Sequence, residues 1–381
     1  MNPGLVPGQR LELDITTVAF GGDGVARHEN FVIFVPFVIA GERVEAQIIE
    51  VKKRYATADL IRVITPSPHR VAPRCPYYAH CAGCQYQHIE YHHQLEMKQA
   101  QIRDVFERIG KIKNPPVAPV VASPRSYHYR NKLVVHGPGK PGFWTTRGRS
   151  IVNIEQCPIA CEEINERLAD IAHQQLQHVH VTLRANTAGQ TWTFVEPPAD
   201  QLIPETVLGR QLSVPLASFF QVNRDVIELA LQHARALLAA SGCRVLVDAY
   251  CGVGLFALLL ADLVEHVYGI EFDDAAIAAA NTNAERLGLK NYDFYPGQTE
   301  RLLPYTLRQC PLDETCLILD PPRSGCGRPV LKTLRDQRPR KLIYVSCAPP
   351  MLARDVKELT QRGYRLDRVT PFDMFPQTQH C

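Results

Sequence analysis

The sequence has no apolar run long enough to cross a bilayer; the longest, around Leu255–Ala261, falls far short of the ~20 residues a spanning helix needs. The first ten residues, MNPGLVPGQR, lack the apolar core of a signal peptide. These absences place the chain in the cytoplasm, with no membrane partner. No internal repeat or low-complexity segment is found, so repeat architectures and long linkers are excluded. Charge of one sign is also missing locally. From Ile109 to Ile154 there is no Asp or Glu, while Lys111, Lys113, Arg125, Arg130, Lys132, Lys140, Arg147 and Arg149 all fall there. Tyr127, His128, Tyr129, Phe143 and Trp144 are interleaved with them. Cations neutralise phosphates and flat rings stack on unpaired bases, so this stretch reads as a surface for single-stranded nucleic acid rather than a solvated basic face.

What is present fits a globular protein of 381 residues with two or three domains. Residues 1–64 alternate apolar and polar positions between turn signals, as in RLELDITTVAF and FVIFVPFV, and predict a small antiparallel barrel. Residues 65–205 begin with a cysteine-rich stretch, continue through a polar helix from about Glu90 to Ile109, and end in further antiparallel strands. Residues 206–381 alternate short apolar strands (RVLVDAY, HVYGIEF, YDFYPG, CLILDPP, KLIYVSC) with helical stretches, the texture of an α/β parallel sheet. YRLDRVTPFDMF is a sixth strand candidate.

The turn after the first of these strands, DAYCGVGLFA, puts Gly252 and Gly254 where backbone passes close to a ligand, and Glu271 ends the next strand as a ribose-binding acid would. This pattern leaves NAD and S-adenosylmethionine both open. The fourth and fifth strands end in LDPPRSG and YVSCAPP, so Asp320 and Cys347 emerge at the carboxyl edge, where such sheets bind ligands. A thiol at a polar strand end facing a cleft ionises and attacks, whereas one in apolar packing is inert. In RCPYYAHCAGCQYQ and QCPIAC, Cys75, Cys81, Cys84 and Cys157 form a four-thiol set that suits either a [4Fe–4S] cluster or a tetrahedral zinc. Cys161 reads as packing, and His88, His92 and His93 as surface residues of a polar helix.

Six motifs in order, SFFQVN (218–223), DAYCGVGLF (248–256), YGIE (268–271), DPPRSG (320–325), YVSCAPPMLARD (344–355) and DMFPQTQH (373–380), resemble those of the RNA uracil-C5 methyltransferase family. The resemblance spans nearly the whole chain. It implies a Rossmann-like class I methyltransferase sheet behind an N-terminal TRAM barrel and a central iron–sulfur domain. It further implies S-adenosylmethionine held by Gln221, Tyr250, Glu271 and Asp320, with Cys347 as the nucleophile that adds to C6 of uracil. For the thiol set it favours the [4Fe–4S] cluster over zinc, and for the substrate it favours ribosomal RNA over transfer RNA. Two positions depart from the family pattern: Leu255 stands where several members have a polar cofactor contact, and Ala348 where an asparagine is common.

The family also places a carboxylate in H-x-E after the aromatic-proline segment. His380 is that histidine, and Cys381 is the last residue given. The expectation is therefore of a truncated terminus, lacking both the glutamate and a closing strand, on a protein that forms the covalent adduct but resolves it poorly. The competing expectation is a catalytically impaired RNA-binding or RNA-folding protein on the same scaffold, with an NAD-linked oxidoreductase third. No obligate protein partner is evident.

Overall fold

The computed structural model describes residues 3–146, 148, 150–198 and 200–381. Arg147 and Arg149 of the basic stretch lie outside the described residues. The chain forms two compact units that share the sequence discontinuously: Met1–Val105, Val117–Val181 and Thr370–Cys381 make one, Phe106–Pro116 and Thr182–Val369 the other.

The first unit opens with β1 (Arg10–Asp14), β2 (Thr17–Val18), β3 (Gly24–His28), β4 (Phe31–Val35), β5 (Arg43–Val51) and β6 (Tyr55–Thr65), in the sheet order β1-β5-β6-β4-β3-β2. Strict alternation drives it: Phe31, Ile33 and Val35 point inward from β4, and Val44, Ala46 and Ile48 from β5, into one core. Three register shifts between β5 and β6 bend the sheet. Arg70 then clamps the following segment to it, its Nε and Nη2 donating to buried Glu42 at 2.5 and 2.8 Å. Next come α1 (Tyr91–Arg108), a short antiparallel ribbon of β7 (Lys132–His136), β8 (Gly142–Trp144) and β9 (Ile151–Asn153), and α2 (Glu162–Ala172).

His88 is not on the helix surface as the sequence suggested. It precedes α1 and is buried, its Nδ1 2.6 Å from the Tyr78 hydroxyl, and burial lowers its pKa to about 4. The expected sixth strand at Tyr364–Phe375 also does not form. Phe372 makes only an isolated bridge with Val121, because Pro371 and Asp373 are engaged by that one residue's N–H and carbonyl. From Thr370 onward the chain belongs instead to the first unit, with Asp373 buried there. Asp373 Oδ1 accepts from Lys98 Nζ at 2.5 Å and Oδ2 from the Tyr91 hydroxyl at 2.9 Å, while Gln94 donates to the Gln377 side chain at 3.0 Å.

In the second unit, β10 (His180–Ala185) enters a hairpin with β11 (Thr191–Phe194); β12 (Leu202–Val207) pairs with β13 (Arg210–Pro215), and α3 (Arg224–Ala239) follows. The parallel sheet comes next: β14 (Val245–Ala249), α4 (Leu255–Leu260), β15 (His266–Glu271), α5 (Asp274–Arg286), β16 (Tyr292–Pro296), α6 (Thr299–Arg308), β17 (Thr315–Leu319), α7 (Arg328–Asp336), β18 (Lys341–Tyr344) and α8 (Pro349–Thr360). The strand order is β16-β15-β14-β17-β18, all parallel. The order reverses at β14, and a crevice opens at the carboxyl edge on either side of such a strand. Helix-covered parallel strands read as continuous apolar runs, and β14 and β17 are buried at every position.

Gly269 in β15 shows how tightly this sheet is filled. A Cβ there would lie 2.2 Å from Phe294 Cδ1 and 3.0 Å from Cys251 Sγ. Gly269→Ala should destabilise the protein by about 1–3 kcal/mol through overpacking, read as a lower urea midpoint with unchanged slope.

Candidate active site

The carboxyl edge of the sheet assembles four of the residues singled out from sequence. In register, Ala249 pairs with Ile270 and with Leu319, and Leu319 pairs with Tyr344. Tyr250, Glu271, Asp320 and the Val345–Cys347 loop are therefore at or just beyond adjacent strand ends. The turn after β14 is pinned by backbone bonds, Cys251 N–H to the Ile270 carbonyl at 3.0 Å and Gly254 N–H to the Cys251 carbonyl at 2.9 Å. Tyr250, Gly252 and Gly254 all hold positive φ, at 66°, 54° and 80°. A Cβ on Gly252 would meet nothing within 4 Å, so the space over the turn is open to a ligand.

Glu271 is buried and faces that turn. Its Oε2 accepts from Gly252 N–H at 3.0 Å, and its Oε1 from the N–H groups of Phe272 and Asp273 at 2.8 and 3.0 Å. Oε1 is thus doubly bonded, whereas Oε2 has a second lone-pair direction that suits a ribose hydroxyl. The open turn, the oriented acid and backbone N–H donors together fit an adenosyl cofactor. Leu255, at the departure noted above, is buried at the first position of α4.

Gln221 is half-buried in the loop before α3. That loop is tied to the end of β15 by Ser218, whose hydroxyl donates to Asp273 Oδ2 at 2.7 Å. The bond links the loop carrying Phe219 to the one carrying Phe272, two rings 72% and 73% exposed, while Phe220 is core. The Tyr250 hydroxyl donates to Glu300 Oε1 at 3.0 Å. Burial lifts the pKa of the half-buried Asp320 to about 6.

Cys347 is the one exposed cysteine of the twelve. Its loop is fixed by Val345 N–H to the Leu319 carbonyl at 2.8 Å and by Ala348 N–H to Ser346 Oγ at 3.1 Å. Behind it stands a network that motif reading missed. Buried Asp355 of α8 accepts from the Tyr344 hydroxyl at 2.7 Å, from Cys326 N–H at 2.9 Å and from Arg354 Nε at 2.8 Å. Arg354 Nη2 also donates to the Ser324 carbonyl at 3.1 Å. Asp355 thus joins the DPPRSG loop to the strand end that presents the thiol. Gly325, at φ 76°, is required there, since a Cβ would lie 2.6 Å from Asp355 Oδ2. The only sequence signal was the RD pair inside YVSCAPPMLARD.

Asp248 was also missed. It lies beneath the glycine turn, fully buried, with Oδ2 accepting from Ala257 N–H at 2.9 Å and Oδ1 without a partner. Burial first, then Asp320 and Glu271, lift its pKa to about 7. A carboxyl whose folded pKa exceeds its unfolded value binds its proton more tightly in the native state, so stability falls as pH rises from the unfolded pKa to the folded one. Urea titrations should show a loss of about 2 kcal/mol between pH 5 and 8 that is absent in Asp248→Asn. Parallel pH profiles of the two proteins would exclude this role for Asp248.

The four predicted thiols also converge, in the first unit. Burial pushes Cys157 up to about 11, with Cys75 and Cys81 adding, and Cys84 is raised by burial and then by Cys157, Cys81 and Cys75. Charges on these thiols therefore repel one another. Among the described residues, no group of three or more His, Cys, Asp or Glu side chains is drawn in closely enough to hold a metal ion. Cys161 is buried beside them in sequence, at the N-cap of α2. Of the aromatics in the basic stretch, Trp144 is exposed and Tyr127 lies under Arg74, 4.6 Å from the ring centre. Tyr129 is not a stacking surface: it is buried, its hydroxyl donating to the Pro376 carbonyl at 3.0 Å.

No helix among the described residues is long and apolar enough to cross a membrane. Residues 173–381 match the family described as tRNA (Uracil-5-)-methyltransferase, and residues 5–61 match the TRAM domain. The chain is 33% identical to an uncharacterized RNA methyltransferase of Synechocystis sp., over 98% of this chain and 94% of that one. It is 30% identical to another from Halalkalibacterium halodurans, over 97% and 95%. Its fold is similar to the crystal structure of Pyrococcus abyssi tRNA (uracil-54, C5)-methyltransferase in complex with S-adenosyl-L-homocysteine. There the TM-score is 0.74 and the identity 24%, over 97% of this chain and 98% of that one.

Proposed function

Since the chain belongs to the tRNA (uracil-5-)-methyltransferase family and carries an N-terminal TRAM domain, we propose that it methylates C5 of a uridine in RNA through a covalent bond from Cys347. The observation that carries this is the position of the only exposed thiol, on the same sheet edge as the open glycine turn and Glu271. C5 of uracil is too weakly nucleophilic to take an alkyl group unaided. Addition of the Cys347 thiolate to C6 moves the C5–C6 π electrons onto C5 and O4, making C5 a carbanion equivalent. S-adenosylmethionine, held by Gln221, Tyr250, Glu271 and Asp320, supplies the methyl group when bound and leaves as S-adenosylhomocysteine. A base then takes the C5 proton, the C5–C6 double bond re-forms, and the thiolate is expelled. Exposed Phe219 and Phe272 offer flat surfaces to an unstacked base or to adenine.

Cys75, Cys81, Cys84 and Cys157 are the proposed ligands of a [4Fe–4S] cluster. The four thiols act electrostatically on one another, and a cluster takes one thiolate at each of four iron atoms; a single tetrahedral zinc is the alternative. When bound, the cluster neutralises the mutual repulsion of the thiolates. Anaerobically purified protein should be brown, and colourless protein with stoichiometric zinc would overturn the assignment. Ribosomal RNA is favoured over transfer RNA as substrate by the TRAM barrel together with these cysteines. The test is incubation of each RNA class with labelled S-adenosylmethionine, followed by nucleoside mass spectrometry. The reading requires 5-methyluridine, and a methyl group on any other atom refutes it.

A further inference from the structure

We propose that the groove between α7 and α8 docks the phosphate backbone of the RNA strand, a reading that rests on RNA being the substrate. Residues 328–362 contain nine of the chain's 42 Lys and Arg but only three of its 39 Asp and Glu. That segment is thus +6 and the remainder of the chain −3, so the net positive charge of +3 resides here. Arg328, Lys332 and Arg335 recur at helical spacing along one face of α7, all exposed. With Pro329 and with Glu358 and Arg362 near the end of α8, they line a pocket of about 480 Å³.

Two of the four lining cations have no carboxylate partner among the described residues. Arg335 is paired with Asp336 at 2.6 Å, and Arg362 lies 3.9 Å from Glu358, the one carboxylate in the lining. Among the described residues, no carboxylate lies within ion-pair distance of Arg328 or Lys332. The Asp336 carboxyl is held below its ordinary value by Arg335 first, with Lys332 and Arg362 adding, so cations of both helices act on one small region. A concave wall with cations in excess of its carboxylates concentrates a polyanion, and guanidinium groups match phosphate oxygens with two parallel donors.

Two features favour an RNA backbone over an acidic protein segment. The α7 cations are stacked about 6 and 4.5 Å apart along the helix axis, a regular ladder suited to successive phosphates of one strand. The groove also begins beside the proposed active site. Arg328 follows Gly327, whose absent Cβ would lie 3.4 Å from Glu300 Oε1, the acceptor of the Tyr250 hydroxyl. An RNA that brings one base to Cys347 on this sheet edge would pass its neighbouring phosphates along α7.

The test compares the wild type with the triple variant Arg328→Gln, Lys332→Gln, Arg362→Gln, and with a control carrying Lys290→Gln and Arg301→Gln on other elements of the same unit. Binding of a labelled uridine-rich RNA of about 20 nucleotides is followed by anisotropy from 50 to 300 mM salt, and S-adenosylhomocysteine binding by calorimetry. The triple variant should bind RNA about tenfold more weakly at low salt, with the slope of log K against log salt flattened by about two, since each lost phosphate contact removes about 0.7. Its S-adenosylhomocysteine affinity should be unchanged, and the control should match the wild type. An unaltered salt slope overturns the proposal, as does polyglutamate competing as well as RNA, which would assign the groove to an acidic protein. If the wild type makes no 5-methyluridine while the triple variant still loses RNA affinity, the groove stands and only the catalytic reading falls.

Discussion

Cys347→Ala should lower methyl transfer by at least about a thousandfold, the scale on which loss of an attacking nucleophile is felt, while S-adenosylhomocysteine still binds. The asymmetry follows from geometry. Cys347 is reached only after β18 and lies in a loop held by its own backbone bonds, so removing one exposed sulfur leaves the glycine turn and Glu271 undisturbed. RNA containing 5-fluorouridine gives the sharper readout. Fluorine at C5 cannot leave as a cation, so the sequence stops after methylation with sulfur still bonded to C6. Wild-type protein should migrate with attached RNA in a denaturing gel, and the alanine variant should not. A variant that still transferred methyl groups at near wild-type rate would remove Cys347 from the mechanism.

Lys98→Met should cost about 3–5 kcal/mol of stability, the usual penalty for leaving one partner of a buried ion pair uncompensated. Lys98 and Asp373 are both buried, with all three ammonium donors and both carboxylate oxygens engaged. The ammonium donates to Asp373 at 2.5 Å, to the His380 carbonyl at 2.7 Å and to the Phe375 carbonyl at 3.3 Å, while Tyr91 takes the other carboxylate oxygen. Methionine fills the volume but removes the cation, so the buried carboxylate keeps its bond from the Tyr91 hydroxyl and loses its compensating charge. Lys98→Met with Asp373→Leu should recover much of the loss, because no bare charge remains. Urea unfolding of both variants measures it. A single variant as stable as the wild type would show that the tail is held by packing alone.

Much of the candidate site was legible because its signals are local. Two glycines in a strand-to-helix turn, an acid at the next strand end and a cysteine after the fifth strand are read from neighbours in sequence, and the register then brings the strand ends together. Asp355 and Asp248 were illegible for the converse reason. Asp355 acts through Cys326, 29 residues away, and Asp248 through Ala257, nine away, and nothing in a local pattern distinguishes a buried acid inside a helix or strand from an exposed or incidental one. His88 was misread because its polar neighbours mark a helix that begins only at Tyr91. The tail misled in the same way: RLDRVTPFDMF has the alternation of a strand, but it is held by Asp373 on α1 and by one bridge of Phe372 to Val121, not in a ladder.

The interleaving of the two units has a consequence for biosynthesis. Residues 370–381 complete the first unit, yet the ribosome makes them only after all of residues 182–369. At roughly 5–20 residues per second, the nascent barrel and its cysteines wait on the order of ten seconds or more outside the exit tunnel with the tail's binding groove empty. Within that interval the Lys98 ammonium has neither Asp373 nor the Phe375 and His380 carbonyls to receive it, and their arrival ends the wait.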